Sequence, residues 1–201
     1  MLRTALAAAL VASLSGSAFA AGGTFTELCD PIGDVGNNNF QDFDLFAFRE
    51  SRNRVLPVAI DTDQGPSPTI SAGTVVDTYY VAFDPGGSAD IQGTVTFPQP
   101  ILGAMTSVDT LTDSDFLGNT TANYLNPGLR GLETPPDSIS ISGSTLTVSF
   151  SAFSPGDYIR VVTVAEPLPV PSFSPAGAGV LATMLGVVGL GALRRRRREA
   201  P

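Results

Sequence analysis

Alternation between apolar and hydroxyl side chains constrains the fold of this chain more than any other feature of its sequence. Single serines or threonines separate the apolar residues over Ile139–Ile141 and again over Leu146–Phe150. A period of two residues is that of a β-strand, in which successive side chains point to opposite faces of a sheet. Because Ser142-Gly143-Ser144 between the two runs is a typical turn sequence, the segment predicts a β-hairpin with one apolar face.

Similar β-rich runs occupy most of the chain between residues 21 and 165. Thr74–Phe83 predicts one long strand that ends at the turn signal Asp84-Pro85-Gly86-Gly87, and Tyr158–Val164 predicts the last strand. Together the runs predict about seven or eight short strands with turns every ~8–12 residues. The expected fold is therefore mainly β, an antiparallel β-sandwich or jelly-roll formed by residues 21–165.

The middle of the chain departs from this β pattern. Thr110–Gly118 predicts a short helix that is capped by Thr112 or Ser114 and ends at Gly118. Residues 119–137 then form a segment rich in glycine, proline and asparagine. A connection of this length is either functional or simply long, and both interpretations stay open at this point.

The N-terminus predicts a secretory signal peptide over residues 1–20. A positively charged start precedes an apolar stretch, Ala5–Leu14, that is too short for a comfortable membrane span. Ala18 and Ala20 then form an A-x-A cleavage site before Ala21. Signal peptidase is therefore the expected first partner, and the mature protein is expected to begin at Ala21 in an exported compartment.

A second apolar stretch, residues 176–193, predicts a transmembrane helix near the C-terminus. Its eighteen uncharged residues would extend about 27 Å as a helix, close to the ~30 Å hydrocarbon thickness of a bilayer. A basic tail over residues 194–201 follows, and its arginines are Arg194, Arg195, Arg196, Arg197 and Arg198. Because each arginine costs about 2.5–3.5 kcal/mol at the bilayer centre, the tail is a stop-transfer signal and keeps the C-terminus in the cytoplasm.

A short proline-containing motif precedes the apolar helix, within a proline-rich linker over residues 166–175. The motif consists of Val170, Pro171, Ser172, Phe173, Ser174 and Pro175. The motif is followed by one apolar helix and a terminal arginine cluster. Over residues 170–198 this three-part order resembles the PEP-CTERM family of bacterial protein-sorting signals. The motif itself is most similar to the variant subgroup with an Ile/Val-Pro-Thr/Ser-Leu-Ser core.

The resemblance implies a destination rather than a molecular activity. It implies transient anchoring by one membrane-spanning helix and recognition by an exosortase-type sorting protease, followed by attachment to the cell surface or release. Known hosts of this signal tend to be Gram-negative bacteria that make exopolysaccharide. The resemblance therefore implies a location at the cell surface or in the extracellular matrix of a biofilm, with extracellular polysaccharide as a partner.

The charge of residues 21–165 narrows the range of partners. This segment holds five arginines, no lysine and 17 acidic residues, which is a net charge of −12. Such a surface repels nucleic acid and anionic lipid headgroups, so no nucleic-acid partner is expected. The cluster of Arg49, Arg52 and Arg54 predicts pairing with these carboxylates, and a docking patch for an anionic glycan is the alternative.

Missing residue types argue against an enzyme. The chain has no histidine, which excludes Ser-His and Cys-His nucleophile pairs and histidine-ligated zinc. Two carboxylates can cleave a glycosidic bond, but the spacing of Glu27, Glu50 and Glu133 singles out no pair. We therefore expect a non-enzymatic protein without catalytic residues, and an enzyme acting on polysaccharide is the distant alternative.

Asp61 and Asp63 are the candidate metal ligands, with calcium as the candidate ion. Asp61-Thr62-Asp63-Gln64-Gly65 begins like a calcium loop, with carboxylates two residues apart and a glycine for the turn. The twelfth position, where an EF-hand has glutamate, is Ala72, so the full motif is not present. A solvated turn in a protein without any cofactor is the competing interpretation.

Tyr79, Tyr80 and Tyr124 are the candidate glycan contacts in a chain that has no tryptophan. Tyr79 and Tyr80 are adjacent in a predicted strand, so their side chains point to opposite faces. One ring is expected to be exposed if a single face of the sheet is covered, and packing in the core is the competing interpretation. The sequence thus predicts a structural or adhesive surface protein, with a glycan-binding module assisted by calcium as the alternative.

Overall fold

The computed structural model describes residues 25–28, 33–36, 39, 41–152 and 156–168. Strands dominate these residues and most of the strands pair antiparallel, which confirms a mainly β fold and is consistent with a β-sandwich. None of the helices that the structure describes has the length and the apolar composition needed to span a membrane. The predicted signal peptide, residues 1–20, and the predicted sorting motif, transmembrane helix and basic tail, residues 170–201, lie outside the described residues.

The strands belong to the first of the two compact units of the chain, Met1–Glu166, and the second unit is Pro167–Pro201. In chain order the strands are β1 (Phe25–Leu28), β2 (Asp34–Val35), β3 (Leu45–Val55), β4 (Ile60–Asp61), β5 (Thr69–Ile70), β6 (Val75–Phe83), β7 (Ala89–Thr96), β8 (Ile101–Met105), β9 (Asn123–Tyr124), β10 (Ser138–Ser142), β11 (Thr145–Ala152) and β12 (Asp157–Val164). The helices are α1 (Val108–Asp113) and two 3-10 turns, Asp115–Leu117 and Pro127–Leu129.

Two sheets contain the longer strands. The large sheet has five strands in the order β1-β3-β6-β12-β8, and the small sheet has three strands in the order β10-β11-β7. β1 runs parallel to β3, whereas the other neighbours in these two sheets are antiparallel. Two short pairs, β2-β9 and β4-β5, lie outside the two sheets.

The predicted hairpin is present as β10 and β11. Ser142 pairs with Thr145, so Gly143 and Ser144 form a two-residue turn. Gly143 has a φ of +61°, in the left-handed region, which glycine adopts without the steric cost that a Cβ atom brings. The turn thus sets the register that directs the alternating apolar residues of both strands to the same face.

The two sheets bury their facing apolar side chains in a first core. From the large sheet it contains Leu45, Ala47, Tyr79, Val81, Phe83, Ala104, Ile159 and Val161, and from the small sheet Ile91, Val95, Ile139, Leu146, Val148, Phe150 and Ala152. These residues alternate with polar ones in the small sheet, which matches the two-residue period in the sequence.

The opposite face of the large sheet contributes to a second core, together with α1, the Asp115–Leu117 turn and the β4-β5 pair. This core includes Phe48, Val76, Tyr80, Ala82, Tyr158 and Val162 from the sheet and Leu56, Ile60, Ile70, Leu111 and Leu117 from the covering segments. Strands β6 and β12 are therefore buried on both faces. Strands of this kind appear in a sequence as nearly continuous apolar runs, which explains the weak alternation in Tyr158–Val164.

Helix α1 begins earlier than the sequence predicts. Ser107 caps it, because its Oγ accepts a hydrogen bond from a backbone N–H of the first turn. The prediction that Thr112 or Ser114 caps the helix is wrong, and Ser114 is instead the residue that ends α1. Gly118 ends the following 3-10 turn, as predicted for the end of the helical segment.

Candidate functional site

The predicted metal ligand Asp63 anchors the start of helix α1. Its carboxylate accepts hydrogen bonds from the backbone N–H of Thr106 at 2.6 Å, the backbone N–H of Ser107 at 2.8 Å and the Thr110 hydroxyl at 2.6 Å. Partial burial raises the pKa of Asp63, but these hydrogen bonds outweigh burial and hold the pKa below its ordinary value. The negative charge therefore stabilises the N-terminus of the helix.

Asp61, the other predicted metal ligand, makes a local contact at the end of β4. Its Oδ1 accepts a hydrogen bond from the Thr69 hydroxyl at 2.7 Å, across the β4-β5 pair. In the part of the chain that the structure describes, one group of three acidic residues has carboxylate oxygens close enough to share a metal ion, and it contains neither Asp61 nor Asp63. Asp61 and Asp63 thus act in separate hydrogen bonds and do not belong to a three-carboxylate site.

Tyr79 and Tyr80 point to opposite faces of β6, but both rings are buried. Tyr79 lies in the first core with its ring centroid 4.8 Å from that of Phe97, and Arg49 Nε donates to its hydroxyl oxygen at 3.2 Å. Tyr80 lies in the second core. One ring was expected to be exposed only if a single face of the sheet is covered. Both faces are covered, so the competing interpretation, packing in the core, describes both tyrosines. Neither ring presents an open face to a glycan.

Tyr124, the third candidate glycan contact, is half-buried and belongs to a polar network. Its hydroxyl donates to Glu50 Oε1 at 2.6 Å. Its ring packs edge-on against Tyr80, with the two centroids 5.2 Å apart. The polar and the apolar parts of Tyr124 are therefore both used in contacts within the protein.

The predicted positive cluster pairs with a carboxylate at the end of the domain. Arg52 lies 2.9 Å from Glu166, and Arg49 lies 3.7 Å from the same carboxylate. Both arginines are partly exposed, so solvent screens these ion pairs and each contributes little to stability. The contacts agree with the pairing interpretation rather than with a free docking patch at Arg49 and Arg52.

A fully buried ion pair joins β3 to β12. Arg160 donates to Glu50 through Nε at 2.6 Å and through Nη2 at 2.8 Å, and both side chains are 0% exposed. This bidentate arrangement is the strongest geometry available to an arginine and a carboxylate. Burial alone lowers the pKa of Arg160, but the Glu50 carboxylate outweighs it and raises the pKa above its ordinary value.

The same arginine also holds the helical segment against the sheet. Arg160 Nη1 donates to the Leu111 carbonyl oxygen at 3.0 Å and to Ser114 Oγ at 2.7 Å. Arg130 forms a second bidentate pair, in which Nη1 donates to Asp115 Oδ1 at 2.7 Å and Nη2 donates to Asp115 Oδ2 at 2.9 Å. These contacts satisfy the buried charges and tie α1 and the Asp115–Leu117 turn to the large sheet, so the network has a structural role.

A different set of acidic residues forms the candidate functional site: Glu133, Asp137 and Asp157, called here the acidic cluster. One carboxylate oxygen from each residue lies within 4.8 Å of the other two. Asp137 is held in place because its Oδ2 accepts from the Glu133 backbone N–H at 2.9 Å and its Oδ1 from the Ser151 backbone N–H at 2.7 Å. Glu133 is exposed, whereas Asp137 and Asp157 are buried.

Asp157 is the least satisfied member of the acidic cluster. It is 1% exposed, and its Oδ2 has no hydrogen-bond partner among the described residues. Burial, together with repulsion from Asp137 and Glu133, raises the pKa of the Asp157 carboxyl to about 8. The arrangement therefore favours either a proton or a cation between these carboxylates.

One groove on the described surface has no acidic residue in its lining. It has a volume of about 590 Å³ and is lined by Gln64, Gly65, Pro66, Pro100, Ile101, Ile141 and Gly143. A pair of carboxylates for glycoside cleavage would need a cleft that exposes both of them. This groove does not supply such a pair.

The acidic cluster was not predicted, because its members are distant in sequence and belong to different segments. Glu133 and Asp137 lie in the Gly/Pro/Asn-rich segment, and Asp157 begins β12. The length of residues 119–137 was the available signal that this segment has a specific role. For the buried network, the signal was Arg160 itself, a charged residue in the middle of an apolar strand.

No protein-family model, no curated protein and no solved structure matches this chain.

Proposed function

We propose that this chain is an exported, non-enzymatic protein of the cell surface or extracellular matrix of a Gram-negative bacterium. Its role there is structural or adhesive, in association with exopolysaccharide. The observation that carries the proposal is the pair of targeting segments in the sequence, a signal peptide over residues 1–20 and a PEP-CTERM-like motif, helix and arginine cluster over residues 170–198. Their order is that of an exported protein with a C-terminal anchor.

The described domain supports a structural role through the way it uses its charged and aromatic side chains. Arg160 and Glu50 satisfy each other in the interior, and Asp63 holds a helix end. Tyr79 and Tyr80 pack in the two cores. These groups are engaged in contacts within the protein, which supports a structural role for each of them.

In this proposal the chain is processed at both ends. Signal peptidase cleaves before Ala21, and residues 176–193 then span the membrane with the basic tail in the cytoplasm. An exosortase-type protease recognises the motif over residues 170–175. The β domain is delivered to the cell surface or the extracellular matrix.

Intact mass spectrometry of the native protein from envelope and culture-medium fractions tests this sorting proposal. The expected result is a mass that lacks both residues 1–20 and the segment that follows the motif. A membrane-bound form that retains residues 176–198 would make the chain a simple single-pass protein and would overturn the proposal.

Variants of the motif sharpen the same experiment. Pro171→Ala combined with Pro175→Ala should leave the C-terminal segment in place and retain the protein in the envelope fraction. Pro167→Ala, a matched change outside the motif, should be processed like the wild-type chain. Equal processing of the two variants would show that the motif is not recognised.

A glycan-binding module assisted by calcium is the second candidate function, and the acidic cluster is the observation that favours it. A glycan array probed with and without calcium separates the two functions. Binding that requires calcium supports the second candidate. An array without binding in either condition favours the structural role.

A further inference from the structure

We propose that Glu133, Asp137 and Asp157 bind one calcium ion. The proposal rests on these side chains and not on the sorting signal, so it stands or falls separately from the proposed function. The proposed calcium site is also different from the one that the sequence predicts at Asp61 and Asp63.

The spacing of the three carboxylates fits a calcium ion. Calcium binds oxygen at 2.3–2.6 Å, so two of its ligands on opposite sides are about 5 Å apart. The oxygens of the acidic cluster lie within 4.8 Å of one another, and all three can therefore contact one ion at its centre. Magnesium, with distances of about 2.0–2.1 Å and a strict octahedron, requires a tighter arrangement.

The buried carboxylate of Asp157 is an independent indication of a ligand. Its side chain is 1% exposed and directed at the other two carboxylates, and its Oδ2 has no hydrogen-bond partner among the described residues. A buried carboxylate oxygen without a partner is costly, because it loses hydration without a compensating hydrogen bond. A divalent cation removes this cost and the mutual repulsion of the three carboxylates together.

The other two members of the cluster have coordination capacity left. Each oxygen of Asp137 accepts one backbone N–H, from Glu133 or from Ser151, and a carboxylate oxygen has a further lone pair. Glu133 is exposed, so the ion can enter from its side and keep water ligands there. Six to eight oxygens, the usual number for calcium, are therefore available from three carboxylates and water.

Binding at this place would tie the segment before β10 to the start of β12. Asp137 already contacts β11 through Ser151, and Asp157 begins β12. An ion shared by Asp137, Asp157 and Glu133 therefore connects a long loop to both sheets. Because the unfolded chain cannot assemble these ligands, calcium should raise the stability of the folded state.

Thermal unfolding of the full-length chain in detergent, at constant ionic strength, tests the site with calcium alone as the probe. At a tenfold excess over its dissociation constant, calcium should raise Tm by about 3–6 °C relative to a chelator, and magnesium should raise it by less. Equilibrium dialysis with radioactive calcium should show one more bound ion in the wild type than in Asp157→Asn.

Three variants separate this site from general effects of acidic charge. Asp157→Asn keeps the shape of the side chain and cannot carry a negative charge, so the variant should fold but lose the calcium-dependent rise in Tm. Glu133→Gln, at an exposed position, should lower calcium affinity without loss of stability in the chelator. Asp61→Asn, the matched control at the aspartate of β4, should keep the full calcium response.

Two results would overturn the proposal. The first is a Tm that does not respond to calcium in the wild type. The second is a response of equal size in the wild type and in Asp157→Asn, since it would place the bound ion elsewhere. An equal response to magnesium would likewise overturn the assignment to calcium.

Discussion

At the scale of single residues, the pairing of Arg160 with Glu50 is a fully buried contact between β3 and β12. Both side chains are 0% exposed, and Arg160 also reaches Leu111 and Ser114 in the helical segment. A buried ion pair is not in itself a strong source of stability, because desolvation of the two charges offsets their attraction. Removal of one partner is different, since it leaves the other charge buried and unpaired.

Arg160→Met should therefore lower the free energy of unfolding by about 3–5 kcal/mol, because the Glu50 charge stays in the interior without its partner. Urea-induced unfolding followed by circular dichroism measures this change. Arg54→Met, at an exposed position of β3, is the control and should change stability by about 0.5 kcal/mol or less. A loss of similar size in the two variants would contradict the role assigned to Arg160.

A pair of strand glycines offers a second comparison at this scale. A Cβ atom on Gly103 would lie 2.5 Å from Cγ2 and 2.7 Å from Oγ1 of Thr62, whereas on Gly93 its nearest neighbour would be Leu45 Cδ2 at 3.7 Å. At Gly103 the added Cβ atom would be closer to Thr62 than real Cβ contacts are, whereas at Gly93 it would make an ordinary van der Waals contact.

Gly103→Ala should thus destabilise the protein by about 1–3 kcal/mol, since Thr62 and the strand have to shift. Gly93→Ala, also in a strand, should be neutral or stabilising by up to about 1 kcal/mol, because alanine loses less backbone entropy on folding than glycine. Equilibrium unfolding of both variants in urea measures the difference. Equal effects would mean that the close approach at Gly103 does not constrain the fold.

At the scale of elements, helix α1 shows how a distant residue sets a local boundary. The helix has six residues, Val108–Asp113, which is far below the length at which an isolated helix is stable in water. Asp63 contributes a charge at its N-terminus through the Thr106 and Ser107 backbone and the Thr110 hydroxyl. The helix is therefore stabilised by tertiary contacts and not by its own propensity.

The stability that Asp63 contributes should depend on pH. Because its pKa is lowered on folding, the contribution is fully present above the unfolded pKa of about 3.9 and is lost as the pH falls through the folded pKa. Asp63→Asn should cost about 1 kcal/mol at neutral pH. The difference from the wild type should shrink as the pH falls below about 4.

Urea unfolding at a series of pH values measures this dependence. Asp42→Asn, at an exposed position, is the control and should follow the wild type throughout the series. A difference between wild type and Asp63→Asn that stays constant down to the acid end would rule out the charge as the source of the effect.

At the scale of the whole domain, two cores share the strands β6 and β12. The first core lies between the two sheets, and the second lies between the large sheet and the helical segment. Neighbouring side chains of β6 and β12 enter different cores. Because both cores are formed in part by β6 and β12, a substitution that destabilises one core also destabilises the strands of the other. The domain should therefore unfold as one cooperative unit.

Truncation of one leucine in each core tests this cooperativity. Leu146→Ala in the first core and Leu111→Ala in the second, both 0% exposed, should each lower the free energy of unfolding by about 2–5 kcal/mol. In each variant, far-UV circular dichroism and tyrosine fluorescence should report the same single transition. Leu129→Ala, at a residue that is 58% exposed, is the control and should have little effect. Separate transitions would show that the two cores are independent.

The sequence by itself determined the class of the fold and its most local elements. The β10-β11 hairpin could be predicted because alternation and a Gly-Ser turn are properties of neighbouring residues, and Thr74–Phe83 could be predicted as one strand for the same reason. The targeting segments at the two ends are also local patterns, and they stay predictions because they lie outside the described residues.

Tertiary structure decided which side chains are buried, paired or brought together. Tyr79 and Tyr80 are both buried because a second layer covers the large sheet, and alternation along one strand carries no information about that layer. The acidic cluster joins Glu133 and Asp137 to Asp157, which begins a strand further along the chain. The proximity of these three carboxylates depends on how long-range strand pairing positions the loops, and no local pattern in the sequence encodes it.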